Sequence, residues 1–285
     1  MPFLSYYHLT KPGIIRGNLI TAAAGFLLAS QHHIAIGLLV ATLAGLGLVI
    51  AAACVSNNVL DRGLDKKMAR TAKRALVSGT ISVRSALIFA TALLIVGSGL
   101  LGACANILTL GLALLGFVAY VAVYGYYKRR SPLGTAVGSI SGALPPVIGY
   151  VAVTNRIDIA AVILFAIVVC WQMPHFFAIA MYRLKDYTAA GLPVLPVKKG
   201  LITTKIQCLI YILAYGLASL LLSYKGYTGI VYAIVMAVLC VIWLAIAVKG
   251  FYITNTEAWA RQLFIVSLIA ITLQSLLIGL SSVLA

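Results

Sequence analysis

The apolar stretches of this chain are long enough to cross a lipid bilayer, and that leaves few folds open. Near residues 14–30, 35–58, 85–103, 107–127, 134–153, 158–181, 205–224, 228–248 and 263–284 charged residues almost vanish. Stretches of roughly 18 to 25 residues suit a helix traversing ~30 Å of hydrocarbon. Lipid offers no partner to backbone N–H and C=O groups, so such spans close their hydrogen bonds internally, as helices. Composition agrees: 63% of residues are hydrophobic and 9% charged, against ~25% charged in water-soluble domains. The expected fold is an all-α polytopic membrane protein, a single membrane domain over 1–285 with about nine transmembrane helices. Gly13 to Ser30 runs on as a full span, so no cleavable signal peptide is read there. Cys54, Cys104, Cys170, Cys208 and Cys240 lie in apolar stretches without a CxxC pair, and read as reduced packing residues.

A net charge of +16 is compatible with nucleic acid, but its distribution points elsewhere. Placing the connecting loops alternately on two sides puts 19 of the 21 basic residues on one of them. That side holds Lys11, Arg16, seven basic residues within 61–84, Lys128, Arg129, Arg130, five within 183–205, Lys249 and Arg261. Only Arg156 and Lys225 fall opposite. By the positive-inside rule the N-terminus and the large loops face the cytoplasm and the C-terminus the other side, as in a bacterial-type inner (plasma) membrane. The lipid bilayer is the expected partner and nucleic acid is not.

A shift of 121 residues superposes Gly13 on Gly134, Gly17 on Gly138, Asp65 on Asp186 and Gly79 on Gly200. Four matches at one offset, in corresponding loops, suggest two related four-helix halves, about 11–127 and 132–248, followed by a ninth helix at about 263–284. Gly13xxxGly17 and Gly134xxxGly138xxxGly142 are spacings that let helices pack closely.

The first large loop begins NNVLDRGLD, residues 57 to 65, and holds two of the chain's five acids. On a helix, Asn57 and Asn58, then Asp61, then Asp65 share a face. Carboxylates and carboxamides are hard oxygen donors that suit Mg²⁺, which proteins commonly hold through a few carboxylates plus substrate phosphates. Arg70, Lys73 and Arg74 follow as cations for phosphate oxygens. The bland alternative is a solvated helix end with local ion pairs. Against it, acids are otherwise scarce, and the asparagines carry the polar face toward the membrane, where polarity is costly.

The second large loop, within WQMPHFFAIAMYRLKDYTAAGLPVLPVKKG, places Asp186 at the counterpart of Asp65 and Tyr182 at that of Asp61, with Arg183 and Lys185 beside them. His175 lies within the sixth span, next to Pro174. It reads as a structural histidine or as a ligand or proton carrier. Asp158 and Glu257 read as interfacial, and His32 and His33 sit in a short loop with no evident partner. Acid-bearing helix ends backed by cations suit a diphosphate. On an apolar tail, such a group would ionise to an allylic cation inside a membrane cavity.

NNVLDRGLD resembles the NDxxDxxxD motif of the UbiA superfamily of intramembrane prenyltransferases, with Asn58 in place of the usual Asp. KPGIIRGNLI, RTAKRALVSG, GSISGALPPVIGY and the stretch from Trp171 to Val197 resemble its haem-farnesylating branch, including the departure at Tyr182 from the DxxxD common elsewhere. The resemblance implies helices around a central cavity, and transfer of the farnesyl group of farnesyl diphosphate to a vinyl group of haem b, with water addition giving haem O. It also implies roles. Asp61, Asp65 and Asp186 are catalytic. Asn57, Asn58, Asp61, Asp65 and Asp186 hold Mg²⁺. Arg70, Lys73, Arg74, Arg183 and Lys185, with Asn57 and Asn58, bind diphosphate, and His175 and Tyr182 are haem candidates. Alternatives are a related enzyme acting on an aromatic acid or quinone precursor, and a two-repeat transporter. Association with a terminal oxidase or a haem-A-forming enzyme is left open.

Overall fold

The computed structural model describes residues 2–31 and 33–284; His32 lies outside them. Among the described residues, nine helices are long and apolar enough to span a membrane. In order they are Pro12–Ser30, Ile36–Asp65, Val83–Cys104, Ile107–Tyr127, Gly134–Thr154, Ile159–Tyr182, Leu195–Tyr224, Ile230–Lys249 and Thr256–Ser281. They are called the first to ninth spans below. No strand occurs among the described residues.

Three spans extend beyond their apolar stretches. The second runs on to Asp65, and the seventh and ninth begin at Leu195 and Thr256. A helix needs only backbone geometry to continue past the hydrocarbon edge, and hydropathy does not record where that geometry ends. In the seventh span the backbone kinks at Gly200 (φ 82°, ψ 169°), a conformation that favours glycine. A short helix over Pro2–Leu9 precedes the first span, and its last residue is buried with Val55, Leu76, Ile81, Ala86 and Ala90. The N-terminal segment thus packs over the basic end of the second and third spans.

Close helix contacts occur at small residues, but not all at the expected ones. In the first span Gly13 and Gly17 have open space where a Cβ would project, and both line a cavity. The tight contact lies further along. A Cβ on Gly25 would run into the Pro146 carbonyl, and one on Gly149 into the Ala22 carbonyl, so the first and fifth spans meet backbone to backbone. Gly138 and Gly142 do serve packing, against the Tyr124 ring and the Gln172 amide. The largest buried cluster joins the fifth to ninth spans around Tyr215, Trp243 and Trp259, with Ala24 and Leu28 of the first. All five cysteines are free; Cys104, at the end of the third span, is exposed. Asp158 caps the sixth span by accepting from the Ala160 and Ala161 N–H groups at 3.0 and 3.3 Å.

Candidate active site

A cavity of about 720 Å³ lies among the spans and reaches their basic end. The second span stays helical through Asp65, so Asn57, Asp61 and Asp65 recur at one-turn intervals and all three line the cavity. The fourth span faces them. It relaxes into a π-helical segment over Ala119–Tyr124, which turns Tyr120 and Tyr124 to the cavity as a stacked pair 5.5 Å apart. Such segments often mark functional sites.

Asp61 is tied by cations from far along the chain, and Asp65 by one nine residues on. Lys128 Nζ donates to Asp61 Oδ2 and to Asn57 Oδ1, both at 2.6 Å. Asn57 Nδ2 donates to the same carboxylate at 2.9 Å, and Arg129 to its other oxygen at 3.1 Å. Arg74 Nη1 reaches both oxygens of Asp65, at 3.0 and 2.8 Å. Burial pulls the Lys128 ammonium below the ordinary lysine range, while Asp61 opposes that shift. Lys11, held in a left-handed conformation (φ 54°) just before Pro12, also lines the cavity. Its ammonium is lowered first by burial; Cys54 and Asp61 raise it, and Arg74 and Lys128 lower it. Burial raises the Tyr187 phenol, so it stays protonated as a donor facing the cavity.

The other expected residues divide. Arg70 and Arg183 line the cavity, as do His175 and Tyr182. Asn58 is buried but does not line it: its amide donates to the Leu9 carbonyl at 2.8 Å and its oxygen accepts from Arg74 at 3.3 Å. The structure therefore gives Asn58 the work of holding Arg74 and the N-terminal helix in place. Lys73 and Lys185 are exposed and off the cavity wall. Asp186 is not brought to the other acids. It lies in a second, smaller cavity, 3.7 Å from Arg183, because the helix over Leu184–Ala189 starts afresh after Tyr182 and does not extend the sixth span's register. No group of three His, Cys, Asp or Glu side chains converges among the described residues. Two carboxylates and one carboxamide are what the second span offers a cation in this cavity.

In the sixth span, also lining the cavity, His175 stacks on Trp171 (4.8 Å, 28°) and tilts against Phe264 (4.9 Å). Its Nδ1 lies 2.7 Å from Ser267 Oγ, and that hydroxyl donates to the Phe264 carbonyl at 2.5 Å. A hydroxyl has one proton to give, so this network assigns the proton to His175 Nδ1, with Ser267 accepting it, and Nε2 has no partner among the described residues. Trp171 Nε1 donates to the Ser267 carbonyl at 2.6 Å, so one residue of the ninth span orients both rings.

The family model for the UbiA prenyltransferases matches residues 18–269. The chain belongs to the UbiA prenyltransferase family. It is 51% identical to protoheme IX farnesyltransferase of Serratia proteamaculans (strain 568) over 96% of this chain and 93% of that one. With the protein of the same name from Edwardsiella ictaluri (strain 93-146) the identity is 52% over the same shares. Among solved structures, a digeranylgeranylglyceryl phosphate synthase superposes with a TM-score of 0.82 at 20% identity, covering 100% of this chain and 99% of that one. A UbiA homolog from Archaeoglobus fulgidus bound to DMAPP and Mg²⁺ gives 0.69 at 18% identity, covering 99% of each. These two show the UbiA fold. As a UbiA member this chain is a membrane prenyltransferase.

Lys128, Lys11, Tyr120, Tyr124 and Ser267 of this UbiA enzyme were not expected at the site. The run Lys128-Arg129-Arg130 was visible, but it counted only toward membrane sidedness. The lowered Lys11 ammonium has a testable consequence. Rising pH removes its proton and one positive charge from the cavity, so the alkaline limb of kcat/KM should lie below the ordinary lysine value of 10.5. Lys11→Arg, which keeps its charge, should move that limb to higher pH. A pH–rate profile that is the same in both proteins would contradict this.

Proposed function

We propose that this UbiA prenyltransferase transfers the farnesyl group of farnesyl diphosphate to a vinyl group of haem b and that water completes the addition, giving haem O and diphosphate. The observation that carries the reading is a cavity with two chemically distinct walls. One bears Asn57, Asp61 and Asp65 among cations, and the other bears His175 with a free Nε2 on an aromatic shelf. The relatives named as protoheme IX farnesyltransferases, about half identical along nearly the whole chain, support the same acceptor. The basic end faces the cytoplasm of a cell inner membrane in this reading. Gly79 and Gly200, paired by the 121-residue offset, both have φ near +80° (81° and 82°), which supports two related halves.

Three hard oxygen donors facing one cavity fit Mg²⁺, with diphosphate oxygens completing its shell. Mg²⁺, when bound, neutralises charge on the departing diphosphate. Arg74 and Lys128, now paired with Asp65 and Asp61, are placed to turn to diphosphate oxygens, with Lys11 and Arg70 around them. The tail lies along apolar lining such as Leu46, Val49, Phe117 and Leu268. Tyr124 of the stacked Tyr120–Tyr124 pair already has a cation, Lys128, 5.1 Å from its ring centroid, the kind of aromatic surface that attracts positive charge. The haem vinyl group attacks the farnesyl C1, and His175 Nε2 serves as a ligand to the haem iron.

Incubating purified protein with haem b, farnesyl diphosphate and Mg²⁺ should yield haem O by mass. His175→Ala should change the haem spectrum and slow the reaction. Prenylation of 4-hydroxybenzoate with no haem product would transfer the reading to an aromatic-acid acceptor. An unaltered spectrum and rate in the variant would make His175 structural.

A further inference from the structure

The second cavity, about 360 Å³, opens between the end of the sixth span and the start of the ninth. Tyr182 and Arg183 line both cavities and so form the wall they share. Two guanidinium groups lie within cation–π range of the Tyr182 ring, Arg183 at 5.3 Å and Arg261 at 5.7 Å from its centroid. Lys185 adds a third cation, and Asp186 and Glu257 are the two carboxylates present.

Those carboxylates leave the arginines with capacity to spare. Arg183 stands 3.7 Å from Asp186, beyond hydrogen-bond distance, and Arg261 gives Glu257 one N–H at 2.9 Å. A guanidinium has five N–H donors in a planar fork that suits a carboxylate. An aromatic path leads to this place. His175 touches Phe264 at 4.9 Å, and Phe264 meets the edge of Tyr182 at 5.8 Å. A flat acceptor seated against His175 and Tyr182 would bring its acidic edge to Arg183 and Arg261.

We propose that the second cavity is the carboxylate-anchoring subsite for the acceptor, with the propionates of the tetrapyrrole held by Arg183 and Arg261 beside Tyr182. The proposal rests on the haem reading above and adds an orientation to it. Protohaem carries its two propionates on one edge and its vinyl groups away from that edge. Anchoring the acidic edge at the basic end turns the vinyl groups inward, toward the cavity that holds Asp61 and Asp65. Asp186 and Glu257 keep the two arginines in position while the anion is absent.

The test uses the full-length purified protein and two probes, haem b and its dimethyl ester, whose propionates carry no charge. Wild type should bind the diester roughly tenfold more weakly than haem b, the scale of one charge-assisted hydrogen bond. Arg261→Gln should weaken haem b by a similar factor and remove the discrimination between the probes. It should leave the affinity for farnesyl diphosphate unchanged, and Arg261→Lys should restore part of the loss. Equal binding of the two probes by wild type overturns the subsite, and needs no variant to fold. Undiminished discrimination in Arg261→Gln overturns it too. Farnesylation of haem b and diester with equal KM removes the subsite while the proposed function stands. If wild type neither binds nor farnesylates haem b, the function falls and the subsite with it.

Discussion

Asp65→Asn is expected to lower turnover by at least ~10³-fold while the protein still inserts in the membrane and binds haem b. The substitution preserves shape and removes a full negative charge from a residue that is 5% exposed. Two effects compound. The proposed cation-binding wall loses one of its two carboxylates, and Arg74, which now reaches both Asp65 oxygens, loses its anchor. Asp61→Asn should act similarly, since its carboxylate organises Lys128 and Arg129 as well as facing the cavity. Single-turnover product formation separates this from a binding defect, and full activity in both variants would remove the diphosphate–cation assignment.

The second large effect concerns assembly of the cavity walls. Gly25→Leu, or Gly149→Leu, should cost ~3 kcal/mol, the upper end for overpacking, and deplete folded protein. Any Cβ at Gly25 meets the Pro146 carbonyl and any at Gly149 the Ala22 carbonyl. Backbone cannot rotate away as a flexible side chain can, so the first and fifth spans must separate. Gly17→Ala is the internal control, because that position faces open space. Thermal unfolding in detergent should drop sharply for the first two variants and little for the third. Equal stability of all three would contradict the packing argument.

The spans were legible because lipid imposes one simple requirement, length without charge, and hydropathy reads that directly. Asn57, Asp61 and Asp65 were legible for a related reason: helical periodicity places them on one face whatever surrounds them. Asn58 shared that face in sequence but turns to Leu9 and Arg74, because a one-residue offset on a helix rotates a side chain by about 100°. Asp186 matched Asp65 by offset, yet a new helix beginning after Tyr182 carries it into the second cavity.

What the sequence determined by itself was the membrane fold, the acidic face of the second span and the excess of cations at one end. Those depend on local periodicity and on a solvent that admits few alternatives. Which cation meets which acid was decided by tertiary structure. Lys128 reaches Asp61 across 67 residues of chain, and Ser267 orients His175 across 92. Such pairings depend on how the helices pack and rotate against each other, down to the π-helical segment in the fourth span. The charge of a residue is in its own letter, but the direction it faces is set by neighbours far along the chain.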